Sequence, residues 1–303
     1  MTDSLHLTVG TRGSQMALVQ TDLVVEPLKA KHPGLAVTVK VITTKGDIDH
    51  SVIPVDTVGK AWFTKEIEQA LLDGHVDLAV HSLKDMPPNT PPGLVVSPVL
   101  ARDDPRDALI GKTGQSLADL PRGAIVGTDS LRRKAMLLAQ RPDLIVRSVR
   151  GNANTRLQKL ASGDYDALVL AAAGLRRIER ADDITEYFDP TVFIPAIGQG
   201  ALAAEWSTDR PEVTSLMEAL EDPPTCAAVA AEQAFAQTIG GGCKLPVGCY
   251  VYLAADSVHI YGMVGSMDGS LSVTKASTGP ADQAVGLARA LATELAKEPF
   301  VMQ

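Results

Sequence analysis

Leu5, Leu7 and Val9 alternate with polar residues, which is the period of a strand with one buried face. After the turn Gly10-Thr11-Arg12-Gly13-Ser14, Met16, Val19 and Leu23 recur at helical spacing, and the helix ends by His32-Pro33-Gly34. Val37, Val39 and Val41 alternate again as a second strand. Residues 43–61 show no period and are rich in Gly, Asp and Pro, so they read as a long loop. Phe63, Ile67 and Leu71 line a further helix, and the apolar run Val76–Val80 is a strand that leads into His81-Ser82-Leu83-Lys84-Asp85-Met86-Pro87.

The same rhythm restarts after Asp103-Asp104-Pro105-Arg106-Asp107. Ala124–Gly127 is a strand, Ser130 opens a helix over Leu131–Ala139, and Leu144–Val149 is a strand. Asn152 or Asn154 opens the helix through Leu160, and Asp166–Ala171 is another strand. Strands alternating with helices predict two α/β lobes built on parallel sheets. The C-terminal part reads differently. Thr225 is placed as the cap of a helix running to about Gln237. Strands follow near Cys249–Leu253, Val258–Val264 and Leu271–Ala276, and a last helix carries Leu287, Leu291 and Leu295. That order makes a small α+β domain.

Composition narrows the chemistry. Of 303 residues, 45% are hydrophobic, enough for a packed core. The three cysteines, Cys226, Cys243 and Cys249, are too few for a disulfide framework. No signal-peptide layout and no apolar run of membrane-spanning length is visible, so a cytoplasmic protein without a membrane partner is expected. The net charge of −8 argues against nucleic acid as a partner. Inside this acidic chain, Gly127–Leu160 holds eight basic and two acidic residues, a local charge of +6 that suits a small anion.

The predicted strand ends carry the polar groups. Arg12 and Ser14 follow the first strand, Lys84 and Asp85 the strand at 76–80, Ser130, Arg132 and Arg133 the strand at 124–127, and Arg150, Asn152 and Arg156 the strand at 144–149. Ligands of doubly wound sheets bind at such ends, helix N-termini hold anions, and arginine forks fit carboxylate or phosphate. One such arginine is ordinary surface charge; four such ends point to a ligand with several anionic groups in a cleft between two lobes. Asp85 is an acid among bases, read either as a salt-bridged carboxylate or as a group facing ligand N–H or a cation. His81 reads as structural, and no His, Cys, Asp and Glu set has metal-ligand spacing. Gly240-Gly241-Gly242-Cys243 presents a thiol on a turn, either as a small packing residue or as a reactive or carrying group.

These residues carry a family resemblance. The segments are Thr11-Arg12-x-Ser14, Thr44-x-Gly46-Asp47, Phe63-x-Lys65-Glu66 and His81-Ser82-x-Lys84-Asp85. Then come Asp104-Pro105-Arg106-Asp107, Gly127-Thr128-x-Ser130-Leu131-Arg132-Arg133, Arg141-Pro142-Asp143-Leu144 and Arg150-Gly151-Asn152-x-x-Thr155-Arg156. Gly174-Leu175-x-Arg177, Gly198-Gln199-Gly200 and Gly241-Gly242-Cys243 complete the set. In this order they resemble the porphobilinogen deaminase (hydroxymethylbilane synthase) family over nearly the whole chain.

The resemblance implies two α/β lobes like those of periplasmic binding proteins plus a small C-terminal α+β domain. Their expected limits are 1–100 with 200–218, then 101–199, then 219–303. It implies a transferase of porphyrin and heme biosynthesis that condenses four porphobilinogen molecules head to tail, each losing ammonia. The growing chain sits on a dipyrromethane cofactor held by a thioether to Cys243, and water releases hydroxymethylbilane. Asp85 is implied to be catalytic, contacting pyrrole N–H groups and stabilising a cationic azafulvene-like species. Arg12, Ser14, Lys84, Asp85, Ser130, Arg132, Arg133, Arg150, Arg156, Arg177 and Gln199, with Lys60 of the 43–61 loop, form the implied cofactor-binding set. A monomer with no metal is expected. Asp129, beside the arginine pair where serine is common, is read as either orienting Arg133 or weakening substrate attraction. The competing reading, from another class, is a cytosolic anion-binding or sensor module on the same two lobes; such a module needs neither Cys243, nor Asp85, nor the third domain.

Overall fold

A computed structural model describes residues 6–48, 64–87, 89–240 and 246–301. Cys243, Lys60 and Phe63 therefore lie outside the described residues. The chain divides into two compact units, 1–102 with 201–227 and 103–200 with 228–303.

The first unit begins with β1 (His6–Thr11), α1 (Gln15–Lys31), β2 (Ala36–Val41) and the single-turn α2 (Lys45–Ile48). It continues with α3 (Lys65–Leu72), β3 (Leu78–Ser82) and β4 (Leu94–Val99). The sheet order is β2-β1-β3-β10-β4, where β10 (Leu202–Ser207) returns from later in the chain and is followed by α7 (Pro211–Glu218). The sheet is mixed rather than wholly parallel: β1 pairs in parallel with β2 and β3, but β10 runs antiparallel to β3 and β4. A strand that re-enters the lobe between two existing strands is not bound by the crossover rule that makes consecutive βαβ strands parallel.

Both faces of this sheet are covered. Leu7, Val9, Leu78, Val80, Leu202, Ala204 and Trp206 pack with Val24, Val25 and Leu28 of α1 and with α7 residues Val213, Leu216 and Met217. The opposite face puts Ala79 with Ile67 and Leu71 of α3. This corrects the face predicted for α1. Leu23 is exposed, and Ala17, Gln20, Thr21, Val24, Val25 and Leu28 are the buried stripe. The pattern misled because α1 is apolar on more than one side: Leu23 shares helical spacing with Met16 and Val19 but is exposed, as is the apolar Leu18.

The second unit contains β5 (Asp107–Gly111), β6 (Ile125–Gly127), α4 (Leu131–Gln140) and β7 (Ile145–Arg147). After these come α5 (Ala153–Ser162), β8 (Ala167–Ala171), α6 (Ala172–Arg177) and β9 (Glu186–Tyr187). The sheet order is β7-β6-β8-β5-β9, again mixed, with β6 parallel to β7 and β8 and β5 antiparallel to β8. The Arg141-Pro142-Asp143 segment is a clamp: Arg141 pairs with Asp143 and donates to the carbonyls of Leu117 and Leu120, fixing the loop ahead of β6.

α8 (Pro223–Ile239) leads to the C-terminal sheet β11 (Val247–Ala254), β12 (Ser257–Gly265) and β13 (Ser272–Pro280), closed by α9 (Ala284–Leu295). The cap of α8 is Asp222 rather than Thr225: the Asp222 carboxylate accepts from the Thr225 N–H at 3.0 Å and from its hydroxyl at 2.6 Å. Pro223 and Pro224 occupy the first turn, where a missing N–H costs nothing. Phe235, Val251, Ile260, Leu291 and Leu295 are among the residues that close this core. Met263 of β12 joins Met136 and Leu137 of α4 in the core of the lobe, so the small domain sits directly on α4.

Candidate functional site

In the first unit, β1 and β3 are hydrogen-bonded neighbours, so their C-terminal ends lie side by side. Arg12 and Ser14 follow one end. Lys84 and Asp85 follow the other, both exposed on a one-turn 3-10 helix over Leu83–Asp85 whose Leu83 is buried. Ser14 caps α1, accepting from the Ala17 N–H at 3.3 Å. Gln20 of α1 donates to the Ser82 hydroxyl at 2.7 Å and so ties the helix to the end of β3. The predicted group Arg12, Ser14, Lys84 and Asp85 is thus gathered at one edge of one sheet. His81 points away from solvent and meets the fully buried Glu205 at 3.0 Å.

The second unit holds a buried ionic cluster. Ser130 caps α4, accepting from the Arg133 N–H at 3.3 Å, and this sets the first turn that carries Arg132 and Arg133 inward. Asp107, at the start of β5, is fully buried. Its Oδ2 accepts from Arg132 at 2.6 Å, and its Oδ1 accepts from Arg133 Nε and Nη2 at 2.9 and 2.8 Å. Gln199 donates to the same Oδ1 at 3.0 Å and to the Pro105 carbonyl at 2.8 Å. Arg132 also donates to the Ile194 carbonyl and Arg133 to the Val169 carbonyl. Burial pushes the Asp107 carboxyl up, yet the two guanidiniums outweigh it and hold the group well below the usual carboxylate range. Burial pushes the Arg132 guanidinium down, Asp107 opposes that, and Arg133 adds to it; the net shift is downward.

The Gly198-Gln199-Gly200 motif is tied at every residue. Gly198 N–H donates to Glu232 of α8 at 2.7 Å, and the Gly200 carbonyl accepts from Arg177 at 2.6 Å. Gly200 has φ +90°, and a β-carbon there would stand 2.4 Å from the Asp103 carbonyl oxygen, so only glycine fits. Arg177 is mostly buried beside Asp103, and burial lowers its pKa against that partner. Arg150 and Arg156 stand at the N-terminus of α5, which Asn152 caps by accepting from Thr155 N–H at 2.9 Å. Arg156 reaches the Gly151 carbonyl at 2.8 Å. Asp129 accepts from the Ser148 hydroxyl rather than from Arg133.

The strand that follows the cysteine motif in the sequence, β11, adjoins this cluster. Gly248 of β11 is five residues after Cys243 in the sequence, and a β-carbon on it would lie 3.0 Å from Arg132 Cδ. Pro246 packs on Gly265, which in turn meets Ala135 of α4. Of the other two cysteines, Cys249 is buried in the core of the small domain and Cys226 is partly buried, its thiol pushed up chiefly by burial. Sequence reasoning missed Asp107 and Glu232. The signal for Asp107 was an acid standing directly before the apolar run Ala108-Leu109-Ile110, where burial of the strand brings the carboxylate close to the interior and favours a basic partner.

Two α/β lobes with mixed five-stranded sheets, a small α+β domain and arginines at strand ends define a two-lobed α/β protein with an added C-terminal domain. A family profile described as "Porphobilinogen deaminase, dipyromethane cofactor binding domain" matches residues 7–215, and one described as "Porphobilinogen deaminase, C-terminal domain" matches residues 226–297. The chain belongs to the porphobilinogen deaminase family. It is 49% identical over 290 residues to the porphobilinogen deaminase of Roseiflexus castenholzii, with 95% of each chain covered. It is 48% identical over 290 residues to that of Roseiflexus sp., again with 95% of each covered. Among solved structures, it is similar to the probable amino-acid transporter extracellular-binding protein ytmK of Bacillus subtilis, at 12% identity and a TM-score of 0.44, covering 76% of this chain and 98% of that one.

Proposed function

We propose that this chain condenses porphobilinogen into hydroxymethylbilane, with the growing chain held on Cys243. The observation that carries this reading is the Arg132–Arg133 pair sharing one carboxylate, packed against the strand that follows the cysteine turn. Two guanidiniums against one Asp107 leave a surplus of one positive charge, which fits a carboxylated pyrrole chain. Bound through a thioether, a dipyrromethane supplies the acceptor end to which substrate carbon is joined. Its side-chain carboxylates fit Arg132, Arg133, Arg150 and Arg156, with Ser130 and Arg177 lending hydroxyl and charge and Gln199 holding Asp107. Cys249 is buried in its core and Cys226 partly buried, which supports Cys243 as the attachment point.

The first lobe presents Arg12, Ser14 and Lys84 to substrate acetate and propionate groups. Asp85, beside them on an exposed turn, faces positive charge that develops on substrate as its aminomethyl carbon loses ammonia. The new carbon–carbon bond forms at a free pyrrole carbon, which gives up its proton. Lys60 is assigned to the ligand set as well. Domain limits of 1–100 with 200–218, 101–199 and 219–303 follow the same reading, as does a cytoplasmic monomer. No helix among the described residues is long and apolar enough to cross a membrane, and the net charge of −8 supports a small-molecule partner rather than nucleic acid. The sensor reading is not favoured, because both family profiles match, including the C-terminal domain a sensor does not need. Incubation of the purified chain with porphobilinogen tests this reading. Release of one ammonia per substrate consumed, with formation of a linear tetrapyrrole, is expected; unchanged porphobilinogen would overturn it.

A further inference from the structure

We infer that Asp107 is a positioning residue for the ligand-binding arginine pair, a role that rests on the function proposed above. Three features of the structure carry it. First, Asp107 divides its two oxygens, giving Oδ2 to Arg132 and Oδ1 to Arg133, so a single carboxylate fixes the spacing of two guanidiniums. Second, Asp107 is itself fixed: it opens β5, whose register with β8 pairs it with Ala171, and Gln199 donates to its Oδ1. Third, the cluster is largely shielded from solvent, with Asp107 fully buried and Arg132 and Arg133 keeping 4% and 7% exposure. A buried charge pair is held tightly because releasing either partner exposes the other to an uncompensated cost.

The charge count gives the cluster its specificity. Without Asp107 the pair would be doubly positive and the two guanidiniums would repel each other. With Asp107 they stand together and keep one positive charge for one ligand carboxylate. The packing of Gly248 on the Arg132 stem extends this control to β11, so the strand leaving the cysteine turn rests on a side chain whose head Asp107 fixes. Asp107 touches no substrate in this account; it acts through Arg132 and Arg133.

The test uses full-length chain made in a host that produces porphobilinogen, with intact mass giving the fraction that carries a covalent dipyrromethane. Asp107→Asn removes the charge, and Asp107→Glu keeps the charge but moves it by one methylene. Asp143→Asn, which breaks the remote Arg141 pair, serves as the control for general destabilisation. Only monodisperse protein with wild-type near-UV circular dichroism is scored. Loss of a charge-assisted contact predicts a modified fraction about tenfold lower in both Asp107 variants, with Asp143→Asn unchanged. If Asp107→Asn does not fold, Asp107→Glu decides alone. A wild-type modified fraction in either folded Asp107 variant overturns the inference. A wild-type chain that carries no adduct overturns the proposed function itself, so the two failures are told apart.

Discussion

Gly248 and Arg132 approach as closely as a glycine allows: a β-carbon on Gly248 would stand 3.0 Å from Arg132 Cδ, 2.8 Å from the Pro195 carbonyl oxygen and 3.0 Å from that of Ile194. Two of these three neighbours are backbone, and the Ile194 carbonyl is also an acceptor for Arg132. The position joins the small domain to the buried ionic cluster through contact that has no slack. Gly248→Ala is therefore predicted to cost about 1–3 kcal/mol, the usual range for overpacking, and to lower the modified fraction of purified protein. Thermal unfolding and intact mass check the two effects; a variant with wild-type Tm and full modification would show that the contact yields freely.

Asp85 lies on an exposed turn, so its removal should leave the fold alone. Asp85→Ala is predicted to change stability by no more than about 0.5 kcal/mol, as exposed substitutions do. Turnover should fall about a hundredfold or more, the scale for loss of one charge-stabilising group. Urea midpoints and initial rates of porphobilinogen consumption measure both. Retained turnover would place Asp85 outside the chemistry.

Asp107 fixes how stability depends on acid. Its folded pKa is depressed: burial alone would raise it, but Arg132 and Arg133 outweigh burial. Below the ordinary carboxylate pKa of about 3.9 the unfolded chain binds the proton that the folded chain still refuses. The contribution is therefore complete above about pH 5 and is lost as pH falls from about 4 toward the depressed value. Urea midpoints across this range should fall steeply for wild type and less steeply for Asp107→Asn. Equal slopes would show that Asp107 titrates normally in the folded state.

Glu232 is fully buried and accepts two backbone N–H groups, from Gly198 at 2.7 Å and Val251 at 3.0 Å. Replacing it with Gln would turn one acceptor into a donor and set an amide against an N–H. A loss of about 1–3 kcal/mol is predicted for Glu232→Gln, measured by chemical denaturation. An unchanged midpoint would mean that neither contact matters to stability.

Much of the scaffold was legible because strand and helix periods are local properties. β1, β3, α4, α5 and the three C-terminal strands stand within a few residues of their expected positions. The caps Ser130 and Asn152 were legible for the same reason, each accepting an N–H three residues on. What failed depended on the third dimension. β4, β5 and β10 were missed because their hydrophobicity answers to neighbours far along the chain; β10 pairs with β3 through Ala203 opposite His81, and the His81 side chain meets Glu205 across 124 residues. The buried face of α1 was misread because apolar residues stand on more than one side. For the site, residue types at strand ends marked Arg12, Lys84, Asp85, Arg132, Arg133, Arg150 and Arg156. The sequence could not separate arginines that a buried acid holds, at 132 and 133, from those at the margin of a helix N-terminus, at 150 and 156.

The account turns on a carboxylated pyrrole chain held by Cys243 beside the Arg132–Arg133 pair. Intact mass of the full-length chain and of Cys243→Ser, both made in a porphobilinogen-producing host, tests it most directly. The account predicts a dipyrromethane adduct on the wild-type chain and an unmodified Cys243→Ser chain whose Cys226 and Cys249 remain free. An adduct that survives the substitution, or an unmodified wild-type chain that still makes tetrapyrrole, would contradict it.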